Sequence, residues 1–158
     1  MKKNNQKGFT LLEILLVVAA IGILAGIVII ALNPAKQLGD TRNAERRSDV
    51  NSILNAVQQY AIDNNGTLPS GLDSVAGSSQ VLGTAGSGAD STCTADTTVA
   101  AAVDLSSDLV PTYIVGIPTD PSTGTDANTD YYINVDANGR VVVGACDPEQ
   151  SATIEITR

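Results

Sequence analysis

One carboxylate, Glu13, lies inside an otherwise almost wholly apolar stretch of the sequence that runs from Phe9 to Leu32. A charge within a membrane span costs about 2.5–3.5 kcal/mol on insertion scales, and such residues usually have a partner. No lysine or arginine lies within reach on the same helix, because the next charged residue along the chain is Lys36. We therefore expect the partner to be a cation of another chain, which is typical of a subunit of an assembly.

Histidine is absent from the 158 residues, and this excludes several kinds of catalytic site within the chain. A Ser-His-Asp triad, a Cys-His pair and a histidine-ligated zinc all require it. Four aspartates, Asp120, Asp126, Asp130 and Asp136, raise the alternative of a calcium site in the C-terminal region. They do not have EF-hand spacing, and carboxylates are common in turns. We expect no enzymatic activity, no catalytic or metal-binding residue and no cofactor, with calcium as the alternative.

The apolar stretch is long enough to cross a membrane. A helix of its 24 residues is about 36 Å long, against a hydrocarbon core of roughly 30 Å. Lys2, Lys3 and Lys7 precede it, and the positive-inside rule then places the N-terminus in the cytoplasm and the remainder outside. A secretory signal peptide is the alternative, but its apolar region is normally only about 7–15 residues long.

Two cysteines, Cys93 and Cys146, fall in the part expected outside the cytoplasm. Thiols of an exported domain usually pair. We expect a disulfide between them, with two free buried thiols as the alternative.

An apolar stripe continues after Asn33-Pro34, where proline is expected to bend the helix. Its members recur at three- and four-residue steps: Ala44, Val50, Ile53, Leu54, Val57, Tyr60 and Ala61. The sequence predicts one long helix from about residue 9 to about residue 64, ended by Asn64-Asn65-Gly66. Its first half is membrane-spanning and its second half is amphipathic.

Charged residues alternate in sign along the start of this amphipathic half, namely Arg42, Arg46 and Arg47 with Asp40, Glu45 and Asp49. Two interpretations stay open at this point. The residues form salt bridges between subunits, or they form a solvated helix face with minor support from pairs four residues apart.

The C-terminal third alternates in the manner of β-strands. Apolar residues at 131, 133 and 135 and again at 141, 143 and 145 flank Asp136-Ala137-Asn138-Gly139, a strong hairpin signal. A third strand is predicted within 152–157, a short helical turn at 104–110 and a loop over 66–102. The predicted fold is α+β, with the long helix packed on a small antiparallel sheet.

The segment Lys7-Gly8-Phe9-Thr10-Leu11-Leu12-Glu13, with basic residues before it and an apolar helix behind it, resembles the class III signal of type IV pilins and pseudopilins. The resemblance implies cleavage between Gly8 and Phe9 by a prepilin peptidase, followed by methylation of the new Phe9 amine. It also implies that Glu13, the fifth residue after the cut, meets the amine of an adjacent subunit. The assembly surface would include Gly22 and Gly26, a G-x-x-x-G pair that allows close helix approach, and Pro34.

The resemblance also implies an organisation and a function. Residues 1–8 are the leader, 9–34 the transmembrane and assembly helix, and 35–158 the exported head. The chain is expected to be a structural subunit that polymerises into a type IV pilus-like filament, serving adhesion, motility or DNA uptake. A pseudopilin of a type II secretion system and a minor tip adhesin are the alternatives.

The same resemblance implies the partners and the location of the chain. The expected partners are identical or homologous pilin subunits, the peptidase, an inner-membrane assembly platform and, before assembly, membrane lipid. The chain would be a single-pass protein of a prokaryotic inner membrane that moves into an extracellular filament. Residues 66–158 carry two basic and twelve acidic residues, so we expect no direct contact with nucleic acid.

Overall fold

A computed structural model describes residues 8–72, 75, 78–91 and 93–158. The three lysines of the predicted leader lie outside the described residues. The chain divides into two compact units, an N-terminal unit (Met1–Leu38) and a head (Gly39–Arg158). The domain boundaries drawn from the sequence stay a prediction.

The long bent helix that the sequence predicts is present as two helical segments. Helix α1 spans Leu11–Leu32 and helix α2 spans Pro34–Asp63. Asn33 between them has a φ of 42°, in the left-handed region that asparagine tolerates better than most residues. Pro34 is the first residue of α2, where its missing N–H costs nothing and its fixed φ suits the helix. The predicted long helix with a bend near Pro34 is therefore confirmed, and the interruption lies at Asn33, directly before the proline.

A four-stranded antiparallel sheet forms the second layer of the head. Its strands are β1 (Gln80–Val81), β2 (Tyr131–Val135), β3 (Val141–Ala145) and β4 (Glu155–Thr157), in that spatial order. The predicted β2–β3 hairpin is confirmed, with Tyr131 opposite Ala145 and Val135 opposite Val141. Its turn is closed by a hydrogen bond from the Asp136 N–H to the Arg140 carbonyl at 2.8 Å. A short helix, α3, spans Ser106–Leu109 within the predicted 104–110.

The apolar stripe of α2 packs on one face of this sheet. Fully buried side chains from both layers meet in the core, namely Val50, Ile53, Leu54 and Val57 of α2 with Ile133 and Val143 of the hairpin. Ala44, which the sequence places on the stripe, is exposed. The predicted helix-on-sheet arrangement is thereby confirmed.

The opposite face of the sheet is also covered, which the sequence did not predict. Tyr132 packs there with Val81, Ala89 and Cys146, and half-buried Cys93 lies against them. All five residues of β2 are consequently buried. Strand β1 belongs to this arrangement, although the sequence placed its residues in a loop.

Candidate assembly site and polar cluster of the head

Helix α1 exposes its apolar side chains along its whole length. No residue of Leu11–Leu32 is buried, and the Phe9 side chain before it is 83% exposed. The helix is long and apolar enough to cross a membrane. Monomeric soluble proteins rarely expose contiguous apolar surface on this scale, which marks a membrane-binding or protein-binding surface.

Glu13 forms a capping box with Thr10 at the start of α1. The Thr10 N–H and hydroxyl donate to Glu13 Oε2 at 2.8 and 3.0 Å, and the Glu13 N–H donates to Thr10 Oγ1 at 3.3 Å. These bonds satisfy backbone donors that a helix N-terminus leaves free. The Thr-x-x-Glu pattern at residues 10–13 is the sequence signal of this box, and it marks the helix start more closely than the apolar stretch does.

The predicted cleavage site precedes the helix. Because Thr10 is the N-cap, Gly8 and Phe9 lie outside the helical hydrogen bonding, and both residues are exposed. Gly22 and Gly26 lie within α1, and a Cβ at either position would meet no heavy atom within 4 Å. Their roles in cleavage, methylation and helix contact stay predictions.

Arg46 corrects both interpretations of the charged residues on α2. Its side chain is fully buried and belongs to one head, where it forms a bidentate ion pair with Asp120. The Nε donates to Asp120 Oδ2 at 2.5 Å and Nη2 donates to Oδ1 at 3.0 Å. Nη2 also donates to the Ser122 hydroxyl at 2.8 Å. Arg46 is thus neither an intersubunit residue nor part of a solvated face.

The same end of α2 is bonded to the segment after β3. Arg42 Nη1 donates to Glu149 Oε1 at 2.6 Å. Asn43 exchanges two hydrogen bonds with the Glu149 backbone, at 2.8 and 3.0 Å. We call these residues the polar cluster, which comprises Arg42, Asn43, Arg46, Asp120, Ser122 and Glu149. It fastens α2 to two loops that are distant in sequence.

The polar cluster lowers the pKa of the Asp120 carboxyl. Burial on its own would raise the pKa of this carboxyl, but the hydrogen bonds from Arg46 and Ser122 outweigh burial and lower the pKa to about 2. A neighbouring carboxyl behaves differently, since burial raises the pKa of Asp49 despite a hydrogen bond from the Tyr131 hydroxyl at 2.7 Å. Asp120 is therefore ionised at neutral pH.

The four aspartates considered for calcium have separate surroundings. Asp120 pairs with Arg46, and Asp136 pairs with Arg140 at 2.7 Å in the hairpin turn. Among the described residues, no group of three or more Cys, Asp or Glu side chains comes together as a metal site. The expectation of no cofactor stays a prediction.

The predicted disulfide between Cys93 and Cys146 is present. Cys146 is completely buried directly after β3, and the Ala95 N–H donates to the Cys146 carbonyl at 3.0 Å. The bond thereby fastens the segment around residue 93 to the back of the sheet.

The chain is similar to known proteins in its N-terminal motif and over a longer stretch. Residues 3–29 match the family model of the prokaryotic N-terminal methylation motif. Type II secretion system core protein G of Aeromonas hydrophila is 40% identical over 77 residues, which are 48% of this chain and 52% of the relative. The protein of the same name from Escherichia coli strain K12 is 41% identical over 61 residues, 39% of this chain and 41% of the relative.

The chain spans about half or less of the length of these curated relatives. The aligned stretches of 61 and 77 residues are longer than the matched motif, so the similarity is not confined to it. No solved structure matches the chain significantly. The motif, the similarity beyond it and the helix-on-sheet fold agree with the resemblance of this chain to type IV pilins and pseudopilins.

Proposed function

We propose that this chain is a structural subunit that polymerises through α1 into a pilus-like filament. The observation that carries the proposal is the complete exposure of an apolar helix that bears the methylation motif. Such a surface is stable in lipid before assembly and against the α1 helices of neighbouring subunits after it. In this proposal the chain is not an enzyme, and the acidic heads coat the filament.

Processing at Gly8–Phe9 would create the cation that Glu13 requires. Both local donors of the capping box use Oε2, and Glu13 Oε1 receives no hydrogen bond from the described residues. A carboxylate accepts at both oxygens, so Oε1 is free for an amine while the capping box persists. The Phe9 amine of an adjacent subunit satisfies this site only in one axial register, and the pair therefore selects register more than it adds stability.

The topology follows from the same proposal. The N-terminus lies in the cytoplasm of a prokaryotic cell, α1 crosses the inner membrane, and the head lies outside, where the disulfide persists. A prepilin peptidase cuts the chain at the cytoplasmic face and methylates Phe9. An assembly platform then moves the subunit from lipid into the filament.

Cleavage is tested by replacing the glycine before the scissile bond. We expect Gly8→Leu to keep the leader, because a side chain at this position blocks close approach to the backbone. The measurement is the intact mass of the membrane-bound chain in cells that contain the peptidase. Gly26→Leu is the matched control and should be cleaved normally. A Gly8→Leu chain of the mature mass would contradict the assignment.

A second candidate is a pseudopilin of a type II secretion system, with a short filament in the periplasm. The names of the relatives favour it, since both are type II secretion system core proteins G. Deletion of the chain distinguishes the two. Loss of protein export with no change in surface filaments supports the pseudopilin, and loss of long surface filaments with normal export supports the pilus subunit.

A further inference from the structure

The arginines of the head differ in their contacts with the residues that the structure describes. The head contains five arginines and sixteen acidic residues. Four arginines are engaged: Arg42 with Glu149, Arg46 with Asp120, Arg140 with Asp136 and Arg158 with Asn55. Arg47 is exposed on α2, and its side chain has no hydrogen bond or ion pair with any described residue. The positive charge of Arg47 can therefore pair with an acidic surface of another copy of the chain.

An acid-rimmed cavity lies elsewhere in the same head. Its volume is about 340 Å³, and its apolar wall includes Leu82, Val103, Leu105 and Ile117. Asp104 and Asp126 also line it, and both are exposed, which places their carboxylates at the opening. We call this feature the acidic cavity.

Both carboxylates of the acidic cavity are available for a cation. Hydrogen bonds from Ser106 lower the pKa of Asp104, so this group is ionised at neutral pH. The Asp126 side chain accepts no hydrogen bond from the described residues. The apolar lining residues Val103 and Leu105 precede and follow Asp104 in the sequence.

The shape and charge of the cavity fit an arginine side chain. An arginine buries its apolar stem along hydrophobic surface and keeps its guanidinium at a polar edge, where it binds carboxylates. Val115, next to the lining residues Gly116 and Ile117, is 94% exposed and offers apolar contact beside the opening.

We propose that Arg47 of one copy inserts into the acidic cavity of a neighbouring copy, where Asp104 and Asp126 receive its guanidinium. This inference rests on the proposed function, because it names a contact between heads in the filament. The two contacting surfaces are different, so the interface is heterologous. Repetition of a heterologous interface that does not close into a ring produces an open helical filament.

Cysteine cross-linking between two differently marked copies tests the contact. One copy carries Arg47→Cys and the other carries Asp126→Cys, and filaments of the mixture are treated with a short bis-maleimide. We expect a covalent dimer from the mixture and none from either copy alone. The matched control replaces Arg47→Cys by Glu45→Cys, an exposed position on another side of α2. A mixture that yields no dimer, or no more dimer than the control, overturns the inference.

Charge exchange supplies a second measurement that does not need the cysteine variants to assemble. Arg47→Glu and Asp126→Arg should each reduce the amount of filament, and the chain carrying both changes should recover it. If the double variant forms no more filament than either single variant, the proposed contact is also overturned. The Cys93–Cys146 bond, measured by non-reducing mass analysis, confirms that each variant is folded.

The two proposals fail in different ways. Filaments that form normally but show neither cross-linking nor charge rescue overturn the Arg47 contact and leave the proposed function intact. A wild-type chain that never enters a filament overturns the proposed function, and the inference falls with it.

Discussion

Arg46 is the residue on which the attachment of α2 to the 120–122 loop depends. Removing one partner of a buried ion pair leaves the other charge without compensation and costs about 3–5 kcal/mol. We expect Arg46→Met to lower the free energy of unfolding of the head by about that amount, measured by denaturant titration of the full chain in detergent. Arg47→Met, one position along and exposed, should change it by less than about 0.5 kcal/mol. Equal effects of the two variants would contradict the assignment.

Asp120 makes the stability of the head dependent on pH, with less stability in acid. Its pKa is about 2 in the folded chain against 3.8 for the free group. Because the folded pKa is the lower one, the stabilisation is fully present above about pH 4. It is lost as the pH falls from about 4 to about 2, by about 2 kcal/mol in total. The lowered pKa values of Asp104 and Asp136 act in the same direction, and the raised pKa of Asp49 opposes them.

The measurement for this prediction is the denaturation midpoint of the full chain between pH 6 and about pH 2. Asp120→Asn should flatten the fall in the midpoint below pH 4, because its amide does not titrate. An Asp126→Asn variant is the matched control and should retain the slope of the wild type. An unchanged slope in Asp120→Asn would sink the assignment of the transition to this carboxyl.

For single residues, the sequence was informative where the contacts are local. Glu13 was identified from its motif, and its bond to Thr10 follows from the four-residue pattern Thr-x-x-Glu. Arg46 was not distinguished from Arg42 and Arg47, because its burial depends on Asp120, 74 residues further along the chain. No local pattern contains that information.

The β2–β3 hairpin is the element that the sequence predicted best, because alternation and an Asn-Gly turn are both local signals. Strand β1 was missed for the opposite reason. It is only two residues long, and its partners are distant in the sequence. Val81 lies opposite Tyr132, and the Val81 carbonyl accepts a hydrogen bond from the Val103 N–H at 2.8 Å. Helix α1 was predicted from composition, and the break after it was predicted at Asn33-Pro34, although the left-handed φ of Asn33 was not.

The disulfide stabilises the cover on the back of the sheet. Removing a native disulfide from a small exported domain typically costs about 2–5 kcal/mol. We expect Cys93→Ala/Cys146→Ala to lose about that much free energy of unfolding and to become sensitive to limited proteolysis first within 84–104. Peptide mapping of the early cleavage products measures this. The reduced and alkylated wild type is the control and should match the variant. Early cleavage within the β2–β3 hairpin instead would contradict the proposed role of the bond.

The whole molecule combines an apolar helix with no buried residue and a head that buries its own hydrophobic core. Each unit follows from its composition, because α1 has one charge in 22 residues and the head carries the acidic excess. The proposed contact of Glu13 with another subunit and the proposed contact of Arg47 with another head both require more than one chain. A single sequence therefore predicts the surfaces but not the helical arrangement that joins them.

Electron microscopy of filaments from cells that express a tagged form of this chain tests the proposed assembly most directly. We expect filaments that bind antibody against the tag along their whole length, and a mature chain whose mass corresponds to a first residue of Phe9. A Glu13→Ala chain should insert into the membrane at the wild-type level but yield no labelled filaments. Abundant labelled filaments from Glu13→Ala would contradict the role of Glu13 in assembly. A wild-type chain that remains only in the membrane while other filaments form would contradict polymerisation through α1.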